Sequence, residues 1–319
     1  MILFRAEAGT KVGAGHAMRC LALAQAVLRL GGEAALALDP GVTAVAPRLL
    51  EAGVPLVGPE PRTCRAVVLD GYGFTVADEA AWAAAGAVVA VMEDAPGRDH
   101  ACDLLVDPAP GRTPGDYAPY APGARLLLGP AYAPVAHAFA LVRASALARR
   151  ELETRCARAL VSTGLTDAGG LAPRAAAALQ ALAGIERIDV AVGAAAASLP
   201  ALREAAEADA RVRLHLDAQD MAGLTAAADI GVGAAGTSSW ERCALGLPTV
   251  AVAVAANQAA NAEALARSGA ALVVAPEAIA TALAALVPFE TRLAMSRAAA
   301  ALVDGEGAER MARALMALG

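Results

Sequence analysis

The sequence is poor in aromatic residues, which make up 3% of its 319 residues, and it has few cysteines. Its five cysteines are so widely separated that neither a C-x-x-C pair nor a Cys/His spacing typical of a zinc site occurs. Long basic runs are missing too, and the net charge of −6 opposes the counterion replacement by which proteins bind nucleic acids. We therefore expect reduced thiols, no metal, no cofactor and no nucleic-acid partner.

Long hydrophobic runs are absent as well. No segment reaches the roughly 20 apolar residues of a membrane helix without an interruption by glycine, proline or a charged residue. The N-terminus carries Arg5 and Glu7 where a signal peptide would have its apolar core. These features predict a cytoplasmic protein without membrane insertion.

What the chain has in abundance is alanine. Hydrophobic residues make up 57% of the sequence and charged residues 18%, which excludes a disordered protein. Because alanine is the best helix former and a poor strand former, closely packed helices are favoured over a β-sandwich. A single core rarely grows beyond about 250–300 residues, so two domains are expected. We predict them at residues 1–140 and 150–319, with terminal helices that can pack back on the first domain.

Apolar segments of strand length alternate with helical segments along both halves of the chain. Such segments without strict polar alternation are typical of parallel strands buried on both faces. The alternation predicts an α/β fold of two Rossmann-like, doubly wound domains that face a cleft, with ligands at the carboxyl ends of the strands. The predicted strands are 1–4, 33–38, 66–69, 87–92, 104–106, 157–162, 187–192, 212–215, 230–233, 249–254 and 271–274. The predicted helices are 17–30, 42–52, 76–85, 136–153, 170–183, 199–206, 220–227, 240–244, 258–268 and 277–318, the last broken near 288 and around 304–307.

The most informative segment is the glycine-rich turn at residues 12–20, between the first strand and the first helix. Backbone N–H groups of such a turn, together with the positive end of the helix, can bind a phosphate. His16 lies at the mouth of this turn, where the helix end would keep the ring neutral and able to act as a base. Alternatively, His16 caps the helix through a backbone hydrogen bond. The Gly13-x-Gly15 spacing lacks the third glycine of the dinucleotide fingerprint.

Two further polar loops follow predicted strands in the second half. In the loop at 233–242, Glu241 can accept two ribose hydroxyls, or it can complement the helix dipole or form a capping box with Ser238. In the loop at 255–261, Asn257 can cap a helix or donate its amide to a phosphate. Phosphate-type loops in both halves, together with this polar loop, predict a diphosphate ligand.

Other polar and aromatic residues are open to more than one interpretation. Asp70 and Asp94 follow predicted strands at the ligand edge, where each can orient a loop through hydrogen bonds or contact a sugar. His100 lies in a charged loop, and we expect it to be solvated. Trp82 and Trp240 are expected to be packing residues.

In their order and spacing, these motifs resemble the family of UDP-sugar hydrolases of pseudaminic acid biosynthesis. Those enzymes release 2,4-diacetamido-2,4,6-trideoxy-β-L-altrose from its UDP conjugate, and they have the two-domain GT-B fold. The resemblance covers most of the chain. It rests on the Gly-x-Gly-His-x-x-Arg loop at 13–19, the strand and turn at 67–72, the segments 92–94 and 102–107, and the Gly-Thr-Ser-Ser-Trp-Glu segment at 236–241 followed by Asn257 and Gln258.

The resemblance implies roles for individual residues. His16 would be the base that activates water, and Tyr72 an active-site tyrosine. Arg19, Asp70 and Asp94 would contact the sugar or orient loops. The residues implied to bind UDP and its diphosphate are Gly13, Ala14, Gly15, Gly236, Thr237, Ser238, Glu241, Asn257 and Gln258. Because helix ends and amides can stabilise the diphosphate, the reaction would require no metal.

Attack of water on the anomeric carbon would release UDP. The configuration at that carbon would be inverted, because a single displacement takes place there. A GT-B glycosyltransferase is the first alternative, because it uses the same fold and donor but a sugar hydroxyl as acceptor. The sequence lacks the apolar, basic patch that a transferase acting on a membrane lipid would have. A non-catalytic nucleotide-sugar-binding protein is the second alternative, and the presence of His16 argues against it.

Overall fold

The structure is a computed structural model that describes residues 1–9, 14–39, 42–167 and 169–318. It divides into two compact units. Unit 1 consists of Met1–His137 and Glu306–Gly319, and unit 2 consists of Ala138–Gly305. Unit 1 is therefore built from two separate segments of the chain, whereas unit 2 is continuous.

Strands and helices alternate through both units. The strands are β1 (Ile2–Ala6), β2 (Ala34–Leu38), β3 (Leu56–Val57), β4 (Ala66–Asp70), β5 (Val88–Met92), β6 (Leu104–Asp107), β7 (Arg125–Leu128), β8 (Arg158–Ser162), β9 (Arg187–Val192), β10 (Val212–Leu216), β11 (Ile230–Ala234), β12 (Thr249–Val252) and β13 (Leu272–Val273). The helices are α1 (Gly15–Arg29), α2 (Val42–Val45), α3 (Val76–Ala84), α4 (Pro114–Tyr117), α5 (His137–Leu152), α6 (Leu171–Gln180), α7 (Leu199–Ala208), α8 (Met221–Ala227), α9 (Ser238–Ala244), α10 (Ala259–Arg267), α11 (Ile279–Leu286), α12 (Phe289–Leu302) and α13 (Gly307–Met316). Short 3₁₀ turns lie at Pro47–Leu49, Pro130–Tyr132, Ala256–Gln258 and Pro276–Ala278.

The described strands of unit 1 form a seven-stranded parallel sheet in the order β3-β2-β1-β4-β5-β6-β7. The strand order reverses between β1 and β4, and ligands of open α/β sheets bind at such a reversal, outside the carboxyl ends of the strands. Ala6 at the end of β1 pairs in register with Asp70 at the end of β4. The loops that follow β1 and β4 therefore begin next to each other.

The described strands of unit 2 form a six-stranded parallel sheet in the order β10-β9-β8-β11-β12-β13. Here the strand order reverses between β8 and β11. Ser162 at the end of β8 pairs in register with Gly233 of β11. The loops after β8 and β11 consequently begin side by side.

The cores explain why the sequence can combine so much alanine with few aromatic residues. In unit 2, Ala172, Ala175 and Ala176 of α6 are fully buried in one core with Val161 and Ile230 of the sheet. Small side chains let a helix lie close to branched side chains on the sheet surface without voids. In unit 1, the buried Trp82 packs in a core with Val67 and Val89, in agreement with its predicted packing role. Trp240 is likewise buried.

The last helix, α13, completes unit 1. Its residues Met311, Ala312 and Leu315 are buried, and the helix packs along α1. Arg65 also ties the end of the chain to this unit, because its Nη2 donates to the carbonyl oxygen of Met316 at 2.5 Å. Residues far apart in sequence thus pack against each other in unit 1.

The predicted α/β fold with two doubly wound parallel sheets is confirmed, but some details of the predicted elements are wrong. The helix expected at 42–52 ends at Val45, because Pro47 disfavours helical backbone at Ala46, where φ is −133° and ψ is 71°. The sequence pattern does not predict β3 or β7, because edge strands of two and four residues carry too short an apolar pattern.

Among the described residues, we find no single helix with the length and apolar composition needed to cross a membrane. The helical segments Pro276–Leu286 and Phe289–Met316 meet that criterion only as a pair, and they are bent by 110° at the break between them.

Candidate functional site

His16 is the second residue of α1, at the reversal point of the unit 1 sheet, and 6% of its surface is exposed. Its Nδ1 lies 2.6 Å from Oδ1 of Asp70, the last residue of β4. The capping alternative for His16 is wrong, because Ala14 occupies the N-cap position and the imidazole binds a carboxylate instead.

The charge on Asp70 determines which nitrogen of His16 carries the proton. Burial alone would raise the pKa of Asp70, but the neighbouring Arg19 and His16 lower it well below its ordinary value of 3.8. An ionised carboxylate only accepts hydrogen bonds, so Nδ1 of His16 must be the donor. In the neutral ring, Nε2 then keeps the lone pair that a base requires.

Arg19 joins the two aspartates of this site. Its Nε and Nη2 each donate to Asp70 at 2.6 Å, and its Nη1 donates to Asp94 at 2.6 Å. Burial alone would lower the pKa of Arg19, but the two carboxylates raise it well above the ordinary value. The pKa of Asp94 is lowered by Arg19 in spite of burial. All three groups are therefore charged, and each holds the others in place.

Tyr72 lies two residues beyond β4 and is 42% exposed. Its ring meets the His16 ring edge to face, with centroids 4.8 Å apart and an interplanar angle of 82°. Its hydroxyl donates to Oδ2 of Asp94 at 2.5 Å. The structure therefore brings together all the predicted catalytic and sugar-contacting residues of the first half, namely His16, Arg19, Asp70, Tyr72 and Asp94.

Glu7, which directly follows β1, holds the loop at residues 71–74, which carries Tyr72. Its carboxylate accepts from the N–H of Tyr72 at 2.8 Å and from the N–H of Gly73 at 3.1 Å. A Cβ at Gly71 would lie 2.6 Å from the Glu7 side chain, and one at Gly73 would lie 2.2 Å from it. Both glycines are thus required for the carboxylate to reach the backbone of this loop.

Arg98 holds the same loop through its carbonyl oxygens. Its Nη1 donates to Tyr72 at 3.1 Å and to Phe74 at 2.5 Å, and its Nη2 donates to Gly71 at 3.2 Å. Arg98 is itself fixed by an ion pair with the buried Glu93. The loop of Tyr72 is therefore clamped by a carboxylate on its N–H groups and a guanidinium on its carbonyl groups.

His100 belongs to the same network, and the expectation that it is solvated is wrong. It is buried, with Nδ1 2.7 Å from Glu79 and Nε2 3.2 Å from Glu93. Burial alone would lower its pKa, but Glu79 and Glu93 raise it to about 9. The charges near His100 in the sequence suggested a solvated loop, whereas its actual partners come from α3 and from the end of β5.

In unit 2, the loops after β11 and β12 contact each other. Gln258 accepts from the N–H of Val254 at 3.1 Å, and its Nε2 would lie 3.1 Å from a Cβ at Gly236. Asn261 donates to the carbonyl oxygen of Ala235 at 2.6 Å. The structure thus brings the predicted binding residues Gly236 and Gln258 together.

Two structural alternatives for the unit 2 residues are excluded. The N-cap residue of α9 is Thr237, so Glu241, which is half-buried, does not have the position that a capping box with Ser238 requires. Asn257 is exposed within a 3₁₀ turn, and the N-cap residue of α10 is Gln258. In unit 1, Ala14 and Gly15 are the N-cap and first residues of α1, whereas Gly13 lies outside the described residues.

The loop after β8 carries a carboxylate at the N-terminus of α6. Asp167 is buried and accepts from the N–H groups of Leu171 at 3.0 Å and Ala172 at 3.2 Å. A carboxylate at this position satisfies the helix end and repels a further anion. The loops after β11 and β12 therefore remain the candidate anion-binding elements of unit 2.

Arg242 of α9 lies beneath the loop after β11. Its Nη1 donates to the carbonyl oxygen of Ser162 at 3.2 Å and to the hydroxyl oxygen of Ser238 at 3.1 Å, and its Nη2 donates to the carbonyl oxygen of Ala234 at 2.5 Å. A Cβ at Gly233 would lie 2.4 Å from Nη1. Glycine at this position of β11 therefore leaves the space that the guanidinium fills.

Sequence reasoning did not select Glu7, Arg98 or Arg242. Glu7 could have been found, because it directly follows β1 at the edge where Asp70 and Asp94 lie. Arg98 and Arg242 gave no such signal, since their partners are mostly backbone oxygens brought near by the fold. Within the described ranges, no group of three or more His, Cys, Asp or Glu side chains is arranged to hold a metal ion.

Comparison with known families gives a match over part of the chain. Residues 209–311 match the glycosyltransferase family 28 C-terminal domain. A search with the sequence among curated proteins gives no match.

Solved structures resemble the chain over almost its full length. MurG from Acinetobacter baumannii is 17% identical with a TM-score of 0.68, and the alignment covers 99% of each chain. The UDP-GlcNAc 2-epimerase from Neisseria meningitidis, bound to UDP-GlcNAc, is 12% identical with a TM-score of 0.67, covering 99% of this chain and 100% of the epimerase. The spinosyn rhamnosyltransferase SpnG, complexed with thymidine diphosphate, is 16% identical with a TM-score of 0.61, covering 99% of each chain. At such identities the likeness establishes the fold, which is GT-B.

Proposed function

We propose that this protein is a UDP-sugar hydrolase in which His16 is the general base. The observation that carries the proposal is the 2.6 Å hydrogen bond from Nδ1 of His16 to the buried, ionised Asp70 at the ligand edge of the unit 1 sheet. This bond selects the tautomer whose Nε2 can take a proton from water, and it stabilises the imidazolium that forms. A protein that merely binds a nucleotide sugar would not need such an arrangement.

In the proposed reaction, water loses a proton to Nε2 of His16 as its oxygen attacks the anomeric carbon. The bond from that carbon to the diphosphate oxygen breaks, and UDP leaves with the bonding electrons. The configuration is inverted, because there is a single displacement. Arg19 and Asp94 act indirectly, since they fix Asp70 and the hydroxyl of Tyr72.

We assign binding of the UDP moiety to unit 2. In this assignment, Glu241 accepts hydrogen bonds from the ribose hydroxyls. Asn257, Gln258 and the segment Gly236-Thr237-Ser238 bind the diphosphate. The contact between Gly236 and Gln258 supports a joint role for these loops. So does the likeness to proteins solved with UDP-GlcNAc or thymidine diphosphate bound.

The proposed substrate is UDP-2,4-diacetamido-2,4,6-trideoxy-β-L-altrose, in the biosynthesis of pseudaminic acid. This assignment rests on the motif resemblance, above all on the Gly-x-Gly-His-x-x-Arg loop and on Tyr72 two residues after Asp70. The experiment is incubation of the purified protein with this UDP-sugar, without acceptor or added metal, followed by chromatography and mass spectrometry of the products. We expect equimolar UDP and free sugar.

The matched variants are His16→Ala and His215→Ala. His215 is also a histidine bound to an aspartate, with Nε2 2.7 Å from Asp189, but it lies on β10 of unit 2. Because general-base catalysis contributes about 10²–10⁴-fold, His16→Ala should lose that factor in kcat while UDP affinity changes little. His215→Ala should keep full activity. Near-normal turnover by His16→Ala would overturn the mechanism.

A glycosyltransferase is the second candidate, and the match of residues 209–311 to the glycosyltransferase family 28 C-terminal domain favours it. The same incubation distinguishes the two. A transferase would leave the UDP-sugar intact until a sugar hydroxyl acceptor is added. The likeness to an epimerase adds a third readout, because an isomeric UDP-sugar of unchanged mass would reveal epimerisation instead of hydrolysis.

A further inference from the structure

Arg242 of α9 is a buried cation. It is 2% exposed, and none of the carboxylates in the described ranges forms an ion pair with it. Glu241 attracts it electrostatically. Burial lowers the pKa of Arg242 to about 10, so the guanidinium is still charged at neutral pH. A buried charge of this kind is costly unless a partner compensates it.

Two other buried arginines, Arg19 and Arg150, use all three of their guanidinium nitrogens. Arg19 binds two aspartates. Arg150 donates from Nε, Nη1 and Nη2 to the carbonyl oxygens of Leu245, Ala228 and Thr225, at 2.6–2.9 Å. In Arg242, by contrast, the buried Nε has no hydrogen-bond partner within the described structure.

Further unsatisfied polar atoms belong to the same edge of the unit 2 sheet. Thr163 follows β8, and Asn261 donates to the loop after β11. Within the described chain, Oγ1 of Thr163 and Oδ1 of Asn261 are buried without a hydrogen-bond partner. More than about 90% of buried polar groups in proteins are satisfied, so unsatisfied atoms gathered at one edge call for an explanation. A polar ligand at this edge would provide one.

The position of Arg242 points to the kind of ligand. The guanidinium joins Ser162 at the end of β8 to Ala234 at the end of β11, which is the reversal point where ligands of such sheets bind. Gly233 leaves the space for it. A fixed positive charge at this point favours an anion, and Asp167 already occupies the neighbouring helix end.

Ser238 connects the buried charge to the surface of the loop. Arg242 is a pure donor, so its bond to Oγ of Ser238 uses a lone pair of that hydroxyl. The hydroxyl hydrogen must then point to another acceptor. Since Ser238 is half-buried, this hydrogen can reach a ligand from which Arg242 itself is shielded.

We propose that Arg242 is the positioning residue of a nucleoside-diphosphate site, supplying its positive charge and turning the Ser238 hydroxyl to donate to a phosphate oxygen. The inference deepens the proposed function, since it rests on UDP binding to unit 2. It does not depend on hydrolysis.

The test measures the dissociation constants of UDP and uridine by calorimetry. Charge-assisted hydrogen bonds predict that Arg242→Gln weakens UDP binding about 10–100-fold. Uridine, which has no phosphate, should bind within about twofold of its wild-type affinity. Arg242→Lys should restore part of the UDP affinity, because it keeps the charge. Arg150→Gln is the matched control, since it removes a buried arginine of unit 2 away from Ser238.

A double-mutant cycle tests the role of Ser238. If Arg242 acts through this hydroxyl, Ser238→Ala weakens UDP binding in the wild-type background but adds little to Arg242→Gln. If Arg242→Gln does not fold, as circular dichroism would reveal, Arg242→Lys and Ser238→Ala carry the test. In that case we expect each of them to weaken UDP binding and to spare uridine.

The outcomes separate this inference from the proposed function. Equal UDP affinity of wild type and the Arg242 and Ser238 variants would overturn the inference alone. Equal losses for UDP and uridine, or the same loss in Arg150→Gln, would also overturn it, because the effect would then be structural. Failure of the wild type to bind UDP would overturn both. UDP binding that depends on Arg242, without any hydrolysis, would support the inference and overturn the hydrolase proposal.

Discussion

Asp70 has two partners, and both limit the ways in which its carboxylate can move. The fork of Arg19 binds both carboxylate oxygens, which fixes the plane of the group. His16 then meets an oxygen that cannot rotate away. Since the Arg19 fork is itself held by Asp94, the orientation of one imidazole depends on three charged side chains.

Replacement of Asp70 by asparagine tests this dependence. Asp70→Asn leaves a neutral amide beside His16 and removes one of two charges that compensate the buried Arg19. We expect kcat of the proposed hydrolysis to fall at least about 10²-fold. The free energy of unfolding should fall by about 3–5 kcal/mol, as for a broken buried ion pair. Steady-state kinetics and urea denaturation measure the two effects.

Asp94→Asn is the control for Asp70→Asn. It also weakens the compensation of Arg19, but it leaves the bond between His16 and Asp70 intact. Its loss of kcat should therefore be smaller. Equal losses in the two variants would mean that the total charge of the site matters, and not the orientation of His16.

A second prediction at the residue scale concerns Gly233. In Gly233→Ala, the new methyl would lie 2.4 Å from Nη1 of Arg242 and 2.5 Å from the carbonyl oxygen of Ser162, so the guanidinium or the strand must shift. We expect a loss of about 1–3 kcal/mol in stability, together with weaker UDP binding.

Gly231→Ala lies in the same strand and provides the comparison for Gly233→Ala. Its methyl would meet the end of the Leu247 side chain at 2.8 Å, which can move aside. It should therefore leave UDP affinity unchanged. If both variants bind UDP like the wild type, the space at Gly233 has no role in binding.

Among the elements, the loop at 71–74 depends most on side chains from elsewhere. Glu7 holds its N–H groups, and Arg98 holds its carbonyl groups. Neither residue contacts the Tyr72 hydroxyl, yet together they fix the backbone from which it reaches Asp94. A loop clamped on both sides keeps a side chain in place without burying it.

Removal of one side of the clamp should loosen the loop and slow turnover. Arg98→Ala deletes the donors to three carbonyl oxygens of the loop, and we expect faster amide hydrogen exchange at residues 71–74 and a fall in kcat of about 10-fold. Arg174→Ala removes an exposed arginine paired with Glu277 and should change neither quantity. Unchanged exchange in Arg98→Ala would show that the loop does not need the clamp.

The elements of the fold could be predicted because their signals are local. The apolar runs of β4 and β11 and the glycine-rich turn before α1 are visible in a few consecutive residues. The positions of Asp70 and Asp94 after strands were enough to expect them at one edge. The clamp could not be predicted, because Glu7 and Arg98 meet the same loop only after the sheet has formed. The burial of His100 is hidden for the same reason, since its partners lie on other elements.

At the scale of the whole molecule, His100 couples stability to pH. Its pKa is raised from 6.5 to about 9 by Glu79 and Glu93, in spite of burial. A raised pKa stabilises the folded state when the group is protonated. This contribution is complete below about pH 6.5 and is lost as the pH rises through about 9. The raised pKa of His100 corresponds to as much as about 3 kcal/mol in the free energy of unfolding.

The measurement is urea denaturation of the wild type and of His100→Gln between pH 6 and 10. We expect the free energy of unfolding of the wild type to fall across the alkaline part of this range. The variant should be less stable at neutral pH and should show a flatter curve. An equally steep fall in the variant would assign the pH dependence to another group.

Unit 1 takes its last helix from residues that follow the whole of unit 2 in the sequence. On the ribosome, the chain emerges from its N-terminus, so Ala138–Gly305 is available in full before α13 has been made. Unit 2 can therefore fold during synthesis, whereas the surface of α1 that α13 covers stays open until translation reaches residues 307–316. The unit that is begun first is thus the last to be completed, and the apolar surface of α1 stays exposed to water during that interval.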